Sequence, residues 1–202
     1  MVQTKPQFQT LAIALPDILS LQVTQAQFEL LAIANPELRL ERTAAGVLIV
    51  NPPTGWETGE RNSSLTGQLY RWYEDYGSLG KTFDSSTGFV LPNGAIRSPD
   101  ASWVSQARWD AVSPDPKEGF ANICPDFLVE LRSVSDSRSA LQEKMQEYMQ
   151  NGARLGWLID PQNRQVEIYR PGDATEVLTN PTELSGEDVL PGFVLALNRI
   201  WS

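Results

Sequence analysis

Pro125-Asp-Phe-Leu-Val-Glu-Leu-Arg-Ser133 is the stretch from which the rest of the chain is read. The apolar run from Phe127 to Leu131 is as long as one buried strand, and a single carboxylate interrupts it. Strand alternation sends Phe127, Val129 and Leu131 to one face, and Leu128, Glu130 and Arg132 to the other. Glu130 thus stands in an apolar strand expected near the middle of a sheet. A bare buried carboxylate is costly unless it is paired or holds a metal. Two explanations follow: an ion pair with Arg132 on the same face, or a metal site with a cation beside it.

Composition narrows the chemistry. With 202 residues, 41% hydrophobic content and six tryptophans, the chain can build one well-cored domain. Residues 1–20 carry no pattern and read as an N-terminal arm, with residues 21–202 as a single domain. A net charge of -9 argues against broad attraction to nucleic acid or anionic membrane. Any DNA contact must then be local, because phosphate contacts supply much of such affinity. The sequence contains no histidine, which removes Ser-His-Asp and Cys-His nucleophile systems and most catalytic zinc sites. One cysteine, Cys124, leaves no intrachain disulfide. The run Leu11-Ala-Ile-Ala-Leu15 is too short for a signal peptide or a membrane span, so the expectation is a soluble cytoplasmic protein.

In chain order, Thr24 caps a helix to about Ala34, with Pro36 beyond its end. Leu38 to Arg42 and Val47 to Val50 read as a hairpin, with Glu41 in its first strand. Leu65, Leu69, Trp72 and Tyr76 repeat at helical spacing, predicting a helix from about Gly59 to Tyr76 with those residues buried. Lys81 to Phe83 and Gly88 to Leu91 suggest a second hairpin, and Arg97 to Val104 one strand entered through Pro99. A short helix over Ser105 to Val112 precedes a loop at Ser113-Pro-Asp-Pro-Lys117. After the central strand, a helix is predicted from Arg138 to Asn151, stopped by Gly152, with Leu141, Met145, Tyr148 and Met149 as its apolar stripe. Lys144 lies on the shoulder of that stripe, free to reach solvent or turn inward. Strands at Arg154 to Ile159, Gln165 to Arg170 and Glu176 to Leu178 follow, then a tail from Val189 to Trp201. The order is that of an α/β (α+β) domain.

The partner for Glu130 comes from a second strand. Asp126 lies four residues before it on one extended strand, about 13 Å away, too far to share a metal. Asp100 starts another strand, and neighbouring strands lie about 5 Å apart, so Asp100 and Glu130 can meet across two strands. Lys144, on the next helix, can lean over the same end.

Ser98-Pro-Asp100, Pro125 to Ser133, Ser135-Asp136, Lys144-x-x-x-Tyr148, Gly152-x-Arg-Leu-Gly-Trp-Leu-Ile-Asp-Pro161, Val166-Glu-Ile-Tyr-Arg170 and Leu190-Pro-Gly-Phe193 occur in order. This set resembles the bacterial restriction-endonuclease-like proteins of the Uma-type family, within the PD-(D/E)-x-K nuclease superfamily. The resemblance runs from about residue 24 to the end of the chain. It implies a central mixed β-sheet flanked by helices and a Mg²⁺ (or Mn²⁺) site built from Asp100 and Glu130. It also implies Glu41 as a further acidic residue and Lys144 in the place of the superfamily's strand lysine, which is Arg132 here. In relatives the loop before the second helix often carries a histidine, where Glu60-Arg-Asn62 stands here.

The implied reaction is hydrolysis of DNA phosphodiester bonds, with a Lys144 ammonium whose pKa falls towards neutrality as base or orienting group. Arg132, Arg97 and Arg138, together with Arg61 and Arg71, are the candidate phosphate contacts. Cutting both strands would call for a homodimer. The alternative is a catalytically silent member of the fold that binds nucleic acid or protein.

Overall fold

The computed structural model describes residues 20–112 and 119–202. The N-terminal arm (all but its last residue) and the 113–117 loop lie outside the described residues. Helix α1 (Gln25–Ala34) starts with a capping box, in which the Thr24 hydroxyl accepts from the Gln27 N–H and the Gln27 side chain accepts from the Thr24 N–H. The hairpin β1 (Arg39–Arg42) and β2 (Leu48–Asn51) forms as expected. There follow α2 (Trp56–Tyr76), β3 (Gly80–Asp84), β4 (Phe89–Val90), β5 (Ile96–Arg97), β6 (Ala101–Ser105) and α3 (Gln106–Ala111). The chain then forms β7 (Phe127–Leu131), α4 (Arg138–Gln150), β8 (Leu155–Asp160), β9 (Gln165–Tyr169), β10 (Glu176–Thr179), β11 (Glu183–Ser185) and β12 (Val194–Ala196).

The largest sheet has the order β10-β9-β8-β7-β6-β3. Only β7 and β8 are parallel within it, joined by the crossover helix α4, so the sheet is mixed. Every residue of β7 is buried. Its alternation is as read: Phe127, Val129 and Leu131 pack with Leu65, Leu69 and Trp72 of α2, while Leu128 packs with Met145 and Tyr148 of α4. Glu130 shares the face of Leu128, beneath α4. A smaller sheet of order β2-β1-β5-β4 carries α1, whose Phe28 clusters with Leu40, Val90 and Ile96. Strands β11 and β12 form a separate pair whose Leu184 and Leu195 join the α2-side core. Among the described residues, no helix is long and apolar enough to cross a membrane.

Four local expectations need correction. The 81–91 hairpin does not form: β3 pairs with β6 in the large sheet, and β4 pairs with β5 in the small one. Gly80 permits the β3–β6 approach, since a Cβ there would overlap the Val104 carbonyl oxygen. The expected strand from Arg97 to Val104 is two strands in different sheets, broken at Ser98-Pro-Asp100. Helix α2 begins at Trp56, so Glu60, Arg61 and Asn62 lie inside it rather than in a preceding loop. Tyr76 is 41% exposed, its ring stacked on Trp72.

Candidate active site

Glu130 is 4% exposed, and its Oε1 accepts from Lys144 Nζ at 2.8 Å and the Tyr148 hydroxyl at 3.0 Å. Both donors come from α4, four residues apart and so on one side of the helix. The Lys144 side chain turns inward; its Nζ also lies 2.9 Å from Glu41 Oε1. Glu41 reaches the cluster from β1 in the small sheet. The Ser98 N–H donates to its Oε1 at 3.0 Å, and Arg97 Nη1 lies 3.4 Å from its Oε2. Arg97 in turn donates from Nε to Glu147 Oε2 at 2.6 Å.

Asp100 precedes β6, and its N–H donates to the Val129 carbonyl at 3.0 Å, so it sits beside Glu130 across the β6–β7 ladder. Its Oδ2 accepts from the Leu131 N–H at 2.8 Å and its Oδ1 from Asn62 Nδ2 at 3.1 Å. Arg39 Nη2 lies 3.7 Å from the same Oδ1. The expected meeting of Asp100, Glu130 and Lys144 is therefore present, with Glu41 as a fourth member.

Charge is unevenly shared here. Burial pushes the Glu130 carboxyl up to about 7 against the pull of Lys144, and the negative charges of Asp100 and Glu41 add to the rise. Burial also raises Asp100. Glu41 differs: burial works against its charge, but Lys144 and Arg97 together hold it below the ordinary carboxylate value. For Lys144, burial alone would lower the pKa, yet Glu130 and Glu41 together hold it above the ordinary lysine value. The expected fall of the Lys144 pKa towards neutrality is absent from this arrangement. One ammonium serves two carboxylates, and Glu130, without a second cation such as Glu41 has in Arg97, is the one left near neutrality.

These groups line a cleft of about 500 Å³ walled by the 51–58 segment, the 133–136 segment and α4. Gly55 begins α2 without a side-chain cap, leaving N–H groups of its first turn available at the cleft. Two carboxylates on adjacent strands suit an ion that prefers oxygen ligands and keeps several waters. The negative charges of Asp100 and Glu41, which add to the burial that raises Glu130, favour a cation at the same place. Among the described residues no three acidic, cysteine or histidine side chains converge in metal-holding geometry, so the remaining positions would fall to water and substrate. Asp100 and Glu130 are the two carboxylates that a hard divalent ion would use here.

Four of the five arginines proposed for substrate are engaged elsewhere; the fifth, Arg71, is exposed on α2 and has no ion pair among the described residues. Arg132, just past the end of β7, continues the ladder to β8 and pairs with Asp160 at 2.9 Å rather than with Glu130. Arg97 is buried between Glu41 and Glu147, and Arg138 binds Glu167 at 2.6 Å. Arg61 bonds Glu57 and the Ser202 carbonyl. Asp126 pairs with Arg108 and accepts from the Ser105 N–H, a role in the fold. Two site residues were missed: Arg39, at the cleft wall, and Asn62, which orients Asp100. Their only sequence signal is position, Arg39 two residues before Glu41 and so on its strand face.

A family model described as "Uma2: Putative restriction endonuclease" matches residues 25–198. Among solved structures, the chain is similar to a "putative nuclease belonging to DUF820" from Anabaena variabilis. The identity is 20%, over 80% of this chain and 89% of that one, with a TM-score of 0.67, a likeness of fold. No curated protein matches the chain.

Proposed function

On the premise that the chain belongs to the Uma2 family of restriction-endonuclease-like proteins, we propose that it is a metal-dependent nuclease hydrolysing DNA phosphodiester bonds. The observation that carries this reading is the convergence of Asp100, Glu130 and Lys144 in one cleft. Asp100 and Glu130 would hold Mg²⁺ or Mn²⁺, which when bound supplies a water of lowered pKa and charge stabilisation at the phosphate. Asn62 and the Leu131 N–H fix the Asp100 carboxylate, and Tyr148 fixes Glu130. Lys144, kept as an ammonium by Glu41, donates a hydrogen bond rather than taking a proton, orienting the attacking water or the phosphate oxygen. Arg39 is the cation suited to meet the phosphate at the wall. The attacking water gives a proton to solvent as its oxygen bonds to phosphorus, the bridging P–O bond breaks, and the leaving oxygen takes a proton from solvent.

The silent binding module is favoured by one observation: the superfamily's strand-lysine position holds Arg132, which is occupied by Asp160. Plasmid cleavage with Mg²⁺, with Mn²⁺ and with EDTA, in wild type and Glu130→Gln, decides between them. Metal-dependent nicking lost in the variant supports the nuclease. An intact plasmid with both metals removes it. Double-strand cutting would further call for a dimer, read by size-exclusion mass, because one centre cuts one strand.

A further inference from the structure

A second concavity of about 1080 Å³ runs between α2 and β3 and shares Arg39, Thr54 and Asn62 with the cleft, so the two form one continuous path. Its α2 wall is one helical face: Gly59, Asn62, Ser63, Thr66, Gly67, Tyr70 and Tyr73 recur at spacings of three and four. Glycine is a poor helix former, and nothing in the fold demands it at Gly67, where a Cβ would meet no atom within 4 Å. At Gly59 the Cβ would meet only Thr54, at 3.9 Å. Both glycines therefore keep the groove wide without serving the packing.

At the far end Tyr70, 53% exposed, stands beside Tyr73 with ring centroids 5.8 Å apart. The opposite wall carries Lys81 and hydroxyls of the 82–87 segment. Among the described residues Lys81 has no carboxylate within ion-pair distance, whereas Asp84 is engaged by Ser86. The groove thus offers aromatic faces, neutral donors and two cations, Arg39 and Lys81, against one carboxylate, Asp84.

We propose that this groove holds an unpaired DNA strand leading to the scissile phosphate in the cleft, with bases stacked on Tyr70 and Tyr73. The inference rests on the nuclease reading of the cleft and adds the substrate class, single-stranded over duplex DNA. A duplex hides its base faces and relies on many phosphate contacts, which a chain of net charge -9 with most site-side arginines paired cannot offer. An unpaired strand gains from stacking, which needs few charges. From Trp56 to Tyr70 the helix rises about 21 Å, room for several nucleotides.

Fluorescence anisotropy in EDTA and low salt, with labelled oligo-dT of about 15 nucleotides and a duplex of equal length, reads binding without hydrolysis. Oligo-dT should bind at least about tenfold more tightly than the duplex, and Tyr70→Ala should weaken it about 5- to 100-fold, the scale of one lost stack. Gly67→Leu separates groove from fold. It should raise the melting temperature, because a helix former replaces glycine, while weakening oligo-dT binding about tenfold or more. Duplex bound as tightly as oligo-dT, or Gly67→Leu binding like wild type, would overturn the proposal. If wild type cuts plasmid but these variants bind normally, the groove reading alone fails. Groove-dependent oligo-dT binding by a protein that cuts nothing supports the groove and overturns only the nuclease reading.

Discussion

Replacing Glu130 with glutamine should make the metal-free protein more stable in mild base and no different in mild acid. Burial lifts the Glu130 carboxyl from 4.5 to about 7 despite Lys144. A group whose pKa is raised on folding gives its full contribution below the unfolded value and loses it as pH rises through the folded one. At about 1.4 kcal/mol per pH unit, the interval from 4.5 to about 7 corresponds to about 3 kcal/mol lost from wild type by about pH 8. Glutamine has no charge to bury and keeps an oxygen for Lys144 and Tyr148. In EDTA, urea unfolding of the two proteins should coincide near about pH 4.5, and the variant should lead by about 2–3 kcal/mol near about pH 8. For a protein of this size that is a melting shift of about 5–10 °C. Mn²⁺ at about 100 times its Kd should then stabilise wild type by about 2.7 kcal/mol and leave the variant unmoved. A glutamine variant less stable than wild type at about pH 8, or a gap that does not change with pH, would refute the reasoning.

Lys144→Ala should lower cleavage by about 10²-fold or more, the scale of losing one positioned donor at the reacting centre, while Arg132→Ala should retain cleavage and lose stability. Wild-type cleavage by Lys144→Ala together with loss in Arg132→Ala, on folded protein, would place the working cation at Arg132 instead. Arg132→Ala also leaves Asp160 short of a partner. Although burial pushes the Asp160 carboxyl up, bonds from Asn163 and Arg132 hold it below the ordinary value, so wild-type stability is present above about pH 4 and lost as pH falls below it. The variant should show a shallower acid limb in a thermal-melt series, and an unchanged limb would count against the pair. Gly80→Ala should cost well over 1 kcal/mol in urea unfolding, on the scale of about 1–3 kcal/mol for overpacking, because the Cβ meets backbone. A melt equal to wild type would show that β3 can shift away from β6.

What was legible in the sequence was local. The Thr24 cap, the alternation of Phe127 to Leu131 and the stripe of α4 each depend on neighbours within a turn or a few residues. They were enough to bring Asp100, Glu130 and Lys144 to one place, because α4 follows β7 directly and crosses over its end. Strand partnership was less legible. Residues 80–84 and 89–90 look like a hairpin by proximity, yet Gly80 lets the first strand approach β6 while the second joins β5. Arg132 pairs with Asp160 rather than Glu130 because β8 lies beside β7, and alternation along one strand does not reveal which strand is its neighbour. Asn62 and Arg39 reach Asp100 from 38 and 61 residues away in the chain, a distance that no periodicity spans.

The break at Ser98-Pro-Asp100 ties the two sheets together at the site. The Ser98 N–H holds Glu41 of the small sheet, the Asp100 N–H holds β7 of the large one, and the residue between them has a fixed φ. Length is therefore as constrained here as side-chain identity. One inserted residue would uncouple Glu41 from Ser98 and shift Asp100 out of register with Val129 in a single step. The exposed turn at residues 171–174 is bound by no such double attachment and could lengthen freely. Among diverging copies of this chain, insertions should accumulate at that turn, while the three-residue link keeps its length even where Ser98 itself is replaced, since its contact with Glu41 is made by backbone.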